Sequence, residues 1–162
     1  VNAMVGLADQ MGWDITIVGK AKKLSAEVFE MASKIIDKSQ AEEVNVNEYT
    51  AVVLMSHDYK TDKTLLPLFL EKKPAYIGML GPKKRFVKIE NELGSLTEKD
   101  HKLIHSPTGL EIGAESPQEI ALSILSEIVA VFRGKRVTSL KHKEGTIHER
   151  EQVVIVASSL TQ

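Results

Sequence analysis

The chain has 162 residues, which suits one domain burying roughly 70% of the surface that its unfolded form exposes. Charged residues make up 27% and hydrophobic residues 43%, and 21 Lys+Arg against 22 Asp+Glu leave a net charge of −1, so nothing global marks a nucleic-acid partner. Cysteine is absent, which excludes a disulfide framework, a zinc knuckle and a thiol nucleophile and fits a reducing, cytoplasmic setting.

No apolar run approaches the ~20 residues of a membrane span, so no membrane partner is expected. Val1 already lies inside an element, and an upstream piece is expected to precede it. Val1, Met4, Val5, Ala8 and Met11 recur at helical spacing and Gly12 stands where a helix ends, which predicts a short amphipathic helix. Residues 13–18 follow as a strand with Ile15, Ile17 and Val18 apolar, and it closes on Gly19-Lys20-Ala21-Lys22-Lys23. Ser25 is placed to cap a second helix in which Val28, Phe29, Met31, Ala32, Ile35 and Ile36 keep helical spacing, with Leu24 stapled onto Phe29. Residues 40–49 read as polar and irregular, with at most a short strand at 44–46. Residues 51–55 are a continuous apolar run of strand length, read as a central parallel strand buried on both faces, and they end at Ser56-His57-Asp58.

Thr61 and Asp62 open the next helix, which either kinks at Pro67 or begins its regular part there. Tyr76 to Leu80 is a buried strand that turns sharply at Gly81 and Pro82 into a helix opening with Lys83, Lys84 and Arg85. Cations in a first turn oppose the helix dipole by roughly 0.3–1 kcal/mol each. Beside free backbone N–H groups at a strand's carboxyl end they form either a phosphate-type anion site or a solvated basic turn. The following helix carries Phe86, Ile89 and Leu93 on one face and stops at Gly94; a short helical segment introduced by Leu96 and Thr97 runs to about Ile104. Residues 105–110, with Pro107 and Gly109, predict an irregular loop. Ser116-Pro117-Gln118-Glu119 is a capping box for a helix reaching about Phe132, and Glu127 is either paired at the edge of its apolar face or aimed into a cleft. Beyond Gly134, Val137 to Leu140 and Val153 to Ala157 are candidate strands separated by a highly charged stretch.

Strand and helix alternate for most of the chain, which predicts an α/β fold, an open, mainly parallel sheet flanked by helices, over residues 1–134, with 135–162 as a charged tail. Ligands of such sheets bind at the carboxyl ends of strands, so His57 and Asp58, Gly78 to Arg85, and the Lys20–Lys23 cluster share one rim. His57 could act as a base, a metal ligand or a donor to an anion, or could form a turn-stabilising pair with Asp58. His105 is a lesser candidate. His101, His142 and His148 lack regular metal-ligand spacing. An NAD site needs G-x-G-x-x-G before the first helix and an acidic residue after the second strand, where this chain has Gly19 and Lys20.

Stretches AVVLMSHDYKTD (51–62), AYIGMLGPKKR (75–85), HSPTGLEIGAESPQEIALSILSEIVAV (105–131) and GWDITIV (12–18) together resemble the C-terminal Rossmann-like domain of the XdhC/CoxI family, accessory proteins of xanthine dehydrogenase and related molybdenum enzymes. The resemblance implies a Rossmann-like domain whose N-terminal strand is missing from the sequence, and a handling role: binding of the molybdenum cofactor (molybdopterin), its protection while a sulfur ligand is installed, and its transfer to an apo molybdoenzyme, a chaperone's part that leaves open whether the chain catalyses any step. Implied partners are that apo-enzyme and a cysteine desulfurase as sulfur donor, with a homodimer also in view. The matching positions carried over as cofactor-binding are His57, Asp58, Gly78, Gly81, Lys83, Lys84, Arg85, Pro107, Gly109, Leu110, Glu119 and Glu127. Ser56 stands where Thr is usual, and Gly19-Lys20 replaces an acidic-plus-Arg pattern. An NAD(P)-binding oxidoreductase domain and a protein-docking module are the competing readings.

Overall fold

A computed structural model describes residues 1–94 and 96–145. The elements in order are α1 (Asn2–Gln10), β1 (Thr16–Val18), α2 (Ala26–Met31), β2 (Lys34–Ile36), β3 (Ala51–Leu54), α3 (Tyr59–Glu71), β4 (Tyr76–Met79), α4 (Lys83–Leu93), α5 (Glu98–Leu103), β5 (Ile104–His105) and α6 (Pro117–Phe132). Short 3-10 turns span Ala21–Lys23, Lys38–Glu43 and Leu140–His142. Among the described residues every strand pairing is parallel: β1 with β2, and β3 with β4 with β5. The expected Rossmann-like α/β architecture is what forms.

Alternation along the strands assigns the two faces of the sheet. Ile77 and Met79 of β4 join Leu54, Leu65, Leu66, Phe69, Phe86 and Ile89 in one core cluster, under α3 and α4. Tyr76 of the same strand points the other way, into a cluster with Ala8 of α1 and Ile124, Leu125 and Ile128 of α6. Successive residues of a strand face opposite sides, so a four-residue strand feeds both layers. Burying each large apolar side chain contributes roughly 1.5–3 kcal/mol, and the two clusters clamp β4 from either side.

The second helix is shorter than its apolar spacing predicts. α2 ends at Met31, Ala32 is already extended (φ −80°, ψ 125°), and Ile35 and Ile36 lie in β2. The backbone N–H of Lys34 donates to the Ile15 carbonyl (3.1 Å) and the N–H of Ile15 donates to Ser33 Oγ (3.3 Å), which starts the register Ile17 against Ile35. Two adjacent β-branched residues suit that ladder better than a helix surface.

The 51–55 run forms β3 but is not central: within its sheet the middle place belongs to β4, and Ala51, Val52 and Val53 are only half-buried. Between β1 and β3 lies a hollow of about 1080 Å³ lined by both strands and by α1, α3 and α6, including Val5, Ile17, Val52, Leu65 and Ile128. α3 runs unbroken through Pro67, starting from Asp58 as its cap. Pro82 is the cap of α4 and Lys83 its first residue, one position later than the sequence places the start. Residues 44–46 form no strand, and Val137 to Leu140 lie exposed without strand pairing. The candidate strand at 153–157 lies outside the described residues.

Candidate functional site at the strand carboxyl ends

Parallel pairing brings the segments that follow β3, β4 and β5 to one rim. The N–H of Leu80 donates to the Leu54 carbonyl (3.0 Å) and that of Thr108 to the Met79 carbonyl (3.1 Å), so the three connections begin side by side. His57 and Gly81 to Arg85 therefore share an edge, to which Pro107 to Leu110 are added, while the Lys20–Lys23 cluster follows β1 in the other sheet.

After β3, Ser56 organises the turn. Its hydroxyl donates to Asp62 Oδ1 (2.5 Å) and accepts from the N–H of Asp58 (3.0 Å). Asp58 caps α3 by accepting from the Thr61 N–H (3.1 Å) and from the Thr61 hydroxyl. The Thr61 hydroxyl, with its backbone N–H, holds the Asp58 carboxyl below the usual range. The His57–Asp58 pair weighed from the sequence does not form. His57 instead stands exposed with φ 55°, a left-handed backbone uncommon for a residue with a side chain. It is the imidazole that this turn presents to solvent.

After β4, Gly81 takes φ 120°, a conformation that favours glycine, and Pro82 leads into α4. The N–H of Arg85 is used on the Pro82 carbonyl (2.8 Å). Lys83 and Lys84 are exposed. Arg85 differs from both: its Nη2 lies 2.7 Å from Asp62 Oδ2, and the Asp62 side chain is 1% exposed. The trio of free cations expected at this helix start is thus two lysines plus an arginine neutralised by a buried carboxylate. Asp62, expected from the sequence at the opening of the helix, lies instead on its buried face, three, four and seven positions before Leu65, Leu66 and Phe69. A carboxylate on the apolar face of a helix requires a cationic partner.

After β5, Glu127 holds the loop. Its Oε2 accepts from the Tyr76 hydroxyl (2.6 Å) and from the Gly109 N–H (2.9 Å), while Oε1 lies 3.4 Å from His105 Nδ1. The Tyr76 hydroxyl also meets Thr108 Oγ1 (2.5 Å), and the Tyr76 ring stacks on His105 with centroids 4.3 Å apart. Burial, then the bond to Glu127, pushes the Tyr76 hydroxyl far above the usual tyrosine range.

Two glycines make this packing possible. A Cβ on Gly78 would strike Thr108 Oγ1 and come within 2.8 Å of Tyr76 Cε1, and one on Gly109 (φ 107°) would strike Ser123 Oγ. Pro107 is exposed, and Leu110 is fixed by its N–H to the Ser123 carbonyl (3.3 Å). Glu119 completes the capping box of α6, accepting from the N–H groups of Ser116 (2.8 Å) and Glu115 (3.0 Å), the first of which most depresses its carboxyl.

The candidate residues thus divide by what they already do. Asp58, Gly78, Arg85, Gly109, Leu110, Glu119 and Glu127 have internal partners or packing duties, whereas His57, Lys83, Lys84 and Pro107 are exposed. Among the described residues no group of three or more His, Asp or Glu is placed to hold a metal ion. No helix of the described residues is long and apolar enough to cross a membrane.

The fold agrees with comparisons to known proteins. The chain is 28% identical over 130 residues to a Bacillus subtilis protein named as a probable xanthine dehydrogenase subunit, covering 78% of this chain and 38% of that protein. It is 35% identical over 86 residues to the molybdenum cofactor insertion chaperone PaoD of Escherichia coli, covering 51% of this chain and 26% of that protein. A crystal structure of a protein described as a xanthine dehydrogenase from Bacillus halodurans superposes with a TM-score of 0.71 at 25% identity, over 83% of this chain and 40% of that one. The chain therefore spans about two fifths or less of the length of these relatives. The model of the XdhC Rossmann domain family matches residues 1–128, in keeping with the stretches that carried the resemblance, and the chain belongs to that family.

Proposed function

We propose that this chain is the cofactor-holding domain of an accessory protein that binds the molybdenum cofactor and serves the maturation of a xanthine dehydrogenase-type molybdoenzyme. One observation carries the reading: His57, held outward on a left-handed backbone, and the outward Lys83 and Lys84 beside Gly81 lie on a single rim at the ends of adjacent strands. Unfavourable backbone conformations persist where surrounding structure enforces them, and such positions concentrate at ligand sites. The family membership and the name of the PaoD relative give the ligand class.

The residues present fit a phosphate-bearing pterin. Lys83 and Lys84 would hold the phosphate together with the backbone N–H groups that open α4, and Gly81 leaves that approach clear of a side chain. Arg85 serves differently, by fixing α4 to α3 through Asp62, so that the two lysines keep their place. His57 would lie toward the pterin or metal end of the ligand. The Glu127 network positions the third loop rather than contacting the ligand. When bound, the cofactor supplies the molybdenum centre; the chain's part is to hold it, shield it and release it to the apo-enzyme, with a sulfur donor and a second copy of the chain as further proposed partners.

Anaerobic titration with molybdenum cofactor tests this directly. Stoichiometric binding is expected, weakened about tenfold or more when Lys83 and Lys84 both become Ala, a loss equivalent to about 1.4 kcal/mol. Unchanged affinity in that variant would refute the site.

A further inference from the structure

Away from the β4–α4 turn, the carboxyl ends of β1 and β2 enclose a second hollow, of about 510 Å³, lined by Lys20, Ala21, Lys22, Lys23 and Asp37. Three of its five lining residues are lysines, and all three are exposed. Several neighbouring cations are engaged: Arg85 pairs with Asp62, Lys63 with Glu92 (2.6 Å), and Lys38 Nζ donates to Thr61 Oγ1 (2.8 Å). Lys20, Lys22 and Lys23 have no carboxylate within ion-pair distance among the described residues, and the single acid of the lining is already committed. Asp37 Oδ1 accepts from both the N–H (3.1 Å) and the hydroxyl (3.0 Å) of Ser39. Asp37 stays ionised and offsets one of the three lysine charges, so the hollow is a concave surface with cations in excess.

Its place in the fold narrows the ligand. Gly19 ends β1, with its N–H on the Ile36 carbonyl (2.9 Å) and open space where a Cβ would stand, so a ligand can approach the backbone. In open parallel sheets the residue ending this kind of strand meets the ribose of a nucleotide, with an acid for a free hydroxyl and a cation for a phosphate. Lys20 and Lys23 also line the larger hollow between the sheets, so the two spaces adjoin. The volume exceeds what a bare phosphate needs and lies within the range of small-molecule sites. A net charge of −1 and a concave rather than striped arrangement count against a nucleic-acid surface.

We propose that this hollow is a second anion site that takes a phosphate monoester of a nucleotide, held by Lys20, Lys22 and Lys23. It shares no residue with the β4–α4 turn, so it stands independently of the pterin reading: failure to bind molybdenum cofactor would refute that reading and leave this one intact.

Isothermal titration of the full chain with 2′,5′-ADP, 5′-AMP and adenosine tests it. The phosphorylated probes are expected to bind and adenosine not to. Preference for 2′,5′-ADP identifies a ribose phosphate as the source, and equal binding of 5′-AMP identifies a 5′-phosphate. Lys20→Gln/Lys22→Gln/Lys23→Gln should weaken the better probe at least tenfold, the corresponding triple Arg variant should restore it, and Lys83→Gln/Lys84→Gln should change it less than twofold. All three lysines are exposed, so circular dichroism of the variants should match the parent. No binding by either phosphorylated probe at millimolar concentration, or an unaltered affinity in the Lys20/Lys22/Lys23 variant, would overturn the proposal.

Discussion

Arg85 Nη2 stands 2.7 Å from Asp62 Oδ2, and the Asp62 side chain is 1% exposed while that of Arg85 is 20% exposed. Removing one partner of a buried pair strands the other charge away from water. Arg85→Ala is therefore expected to cost about 3 kcal/mol of folding stability, since breaking such pairs typically costs 3–5 kcal/mol. Lys83→Ala, at an exposed position two residues earlier, should change stability by less than about 0.5 kcal/mol. Urea unfolding of the two variants separates a pinning role for Arg85 from an anion-binding one. Equal stability in both would contradict the pairing.

Tyr76 makes the reverse case, a neutral hydroxyl kept neutral. Its ordinary value of 10.0 is raised, first by burial and then by the bond to Glu127. A folded value above the unfolded one means that the stabilisation is fully present below pH 10 and is lost as pH rises beyond it. Absorbance of phenolate in the parent minus Tyr76→Phe should show no Tyr76 ionisation until the chain unfolds. The same substitution leaves Glu127 and Thr108 each short of a partner, which should cost about 1–3 kcal/mol.

The extent to which the sequence discloses this arrangement varies with how local the signal is. The α6 start is legible because Ser116 and Glu119 satisfy each other within one turn, and α4 is legible because Gly81 and Gly94 bracket it, Gly94 taking φ 86°. β2 is obscured because Ile35 and Ile36 satisfy the helical period as well as a strand, and only the non-local ladder to β1 decides between them. β5 is two residues long and has no period to detect. The carboxyl rim follows from alternation alone, but the inward turn of Arg85 does not. That partnership joins positions 23 apart on different helices, and its only local trace is the carboxylate of Asp62 on the apolar face of α3.

Gly78 and Gly19 give a paired test of whether glycine is required by packing. A Cβ at Gly78 would lie 2.8 Å from Tyr76 Cε1 and 3.0 Å from Thr108 Cβ, both parts of a packed network, whereas one at Gly19 meets nothing within 4 Å. Gly78→Ala is expected to destabilise by about 1–3 kcal/mol through overpacking. Gly19→Ala should stay within about 0.5 kcal/mol of the parent. Thermal melts of both variants check the contrast, and a neutral Gly78→Ala would mean that the 105–110 loop yields more easily than its hydrogen bonds imply.

Acid should unpick the helix caps in a definite order of sign. The Thr61 hydroxyl and then its N–H depress Asp58, the Thr97 N–H and then its hydroxyl depress Asp100, and the Ser116 N–H followed by that of Glu115 depresses Glu119. Each group is charged more readily in the folded chain than at its ordinary value of 3.8 for Asp or 4.5 for Glu. The stabilisation is therefore complete above those values and disappears as pH falls through the lower folded ones. Glu119→Gln keeps an oxygen to accept from the same N–H groups but removes the charge. Its thermal midpoint should lie below that of the parent by a constant margin near neutrality, and the margin should close as pH drops below 4.5. Circular dichroism melts taken from about pH 7 to about pH 2.5 read this directly. A margin that persists unchanged to the acid end would show that the capping box owes its strength to oxygen geometry alone and not to the carboxylate charge.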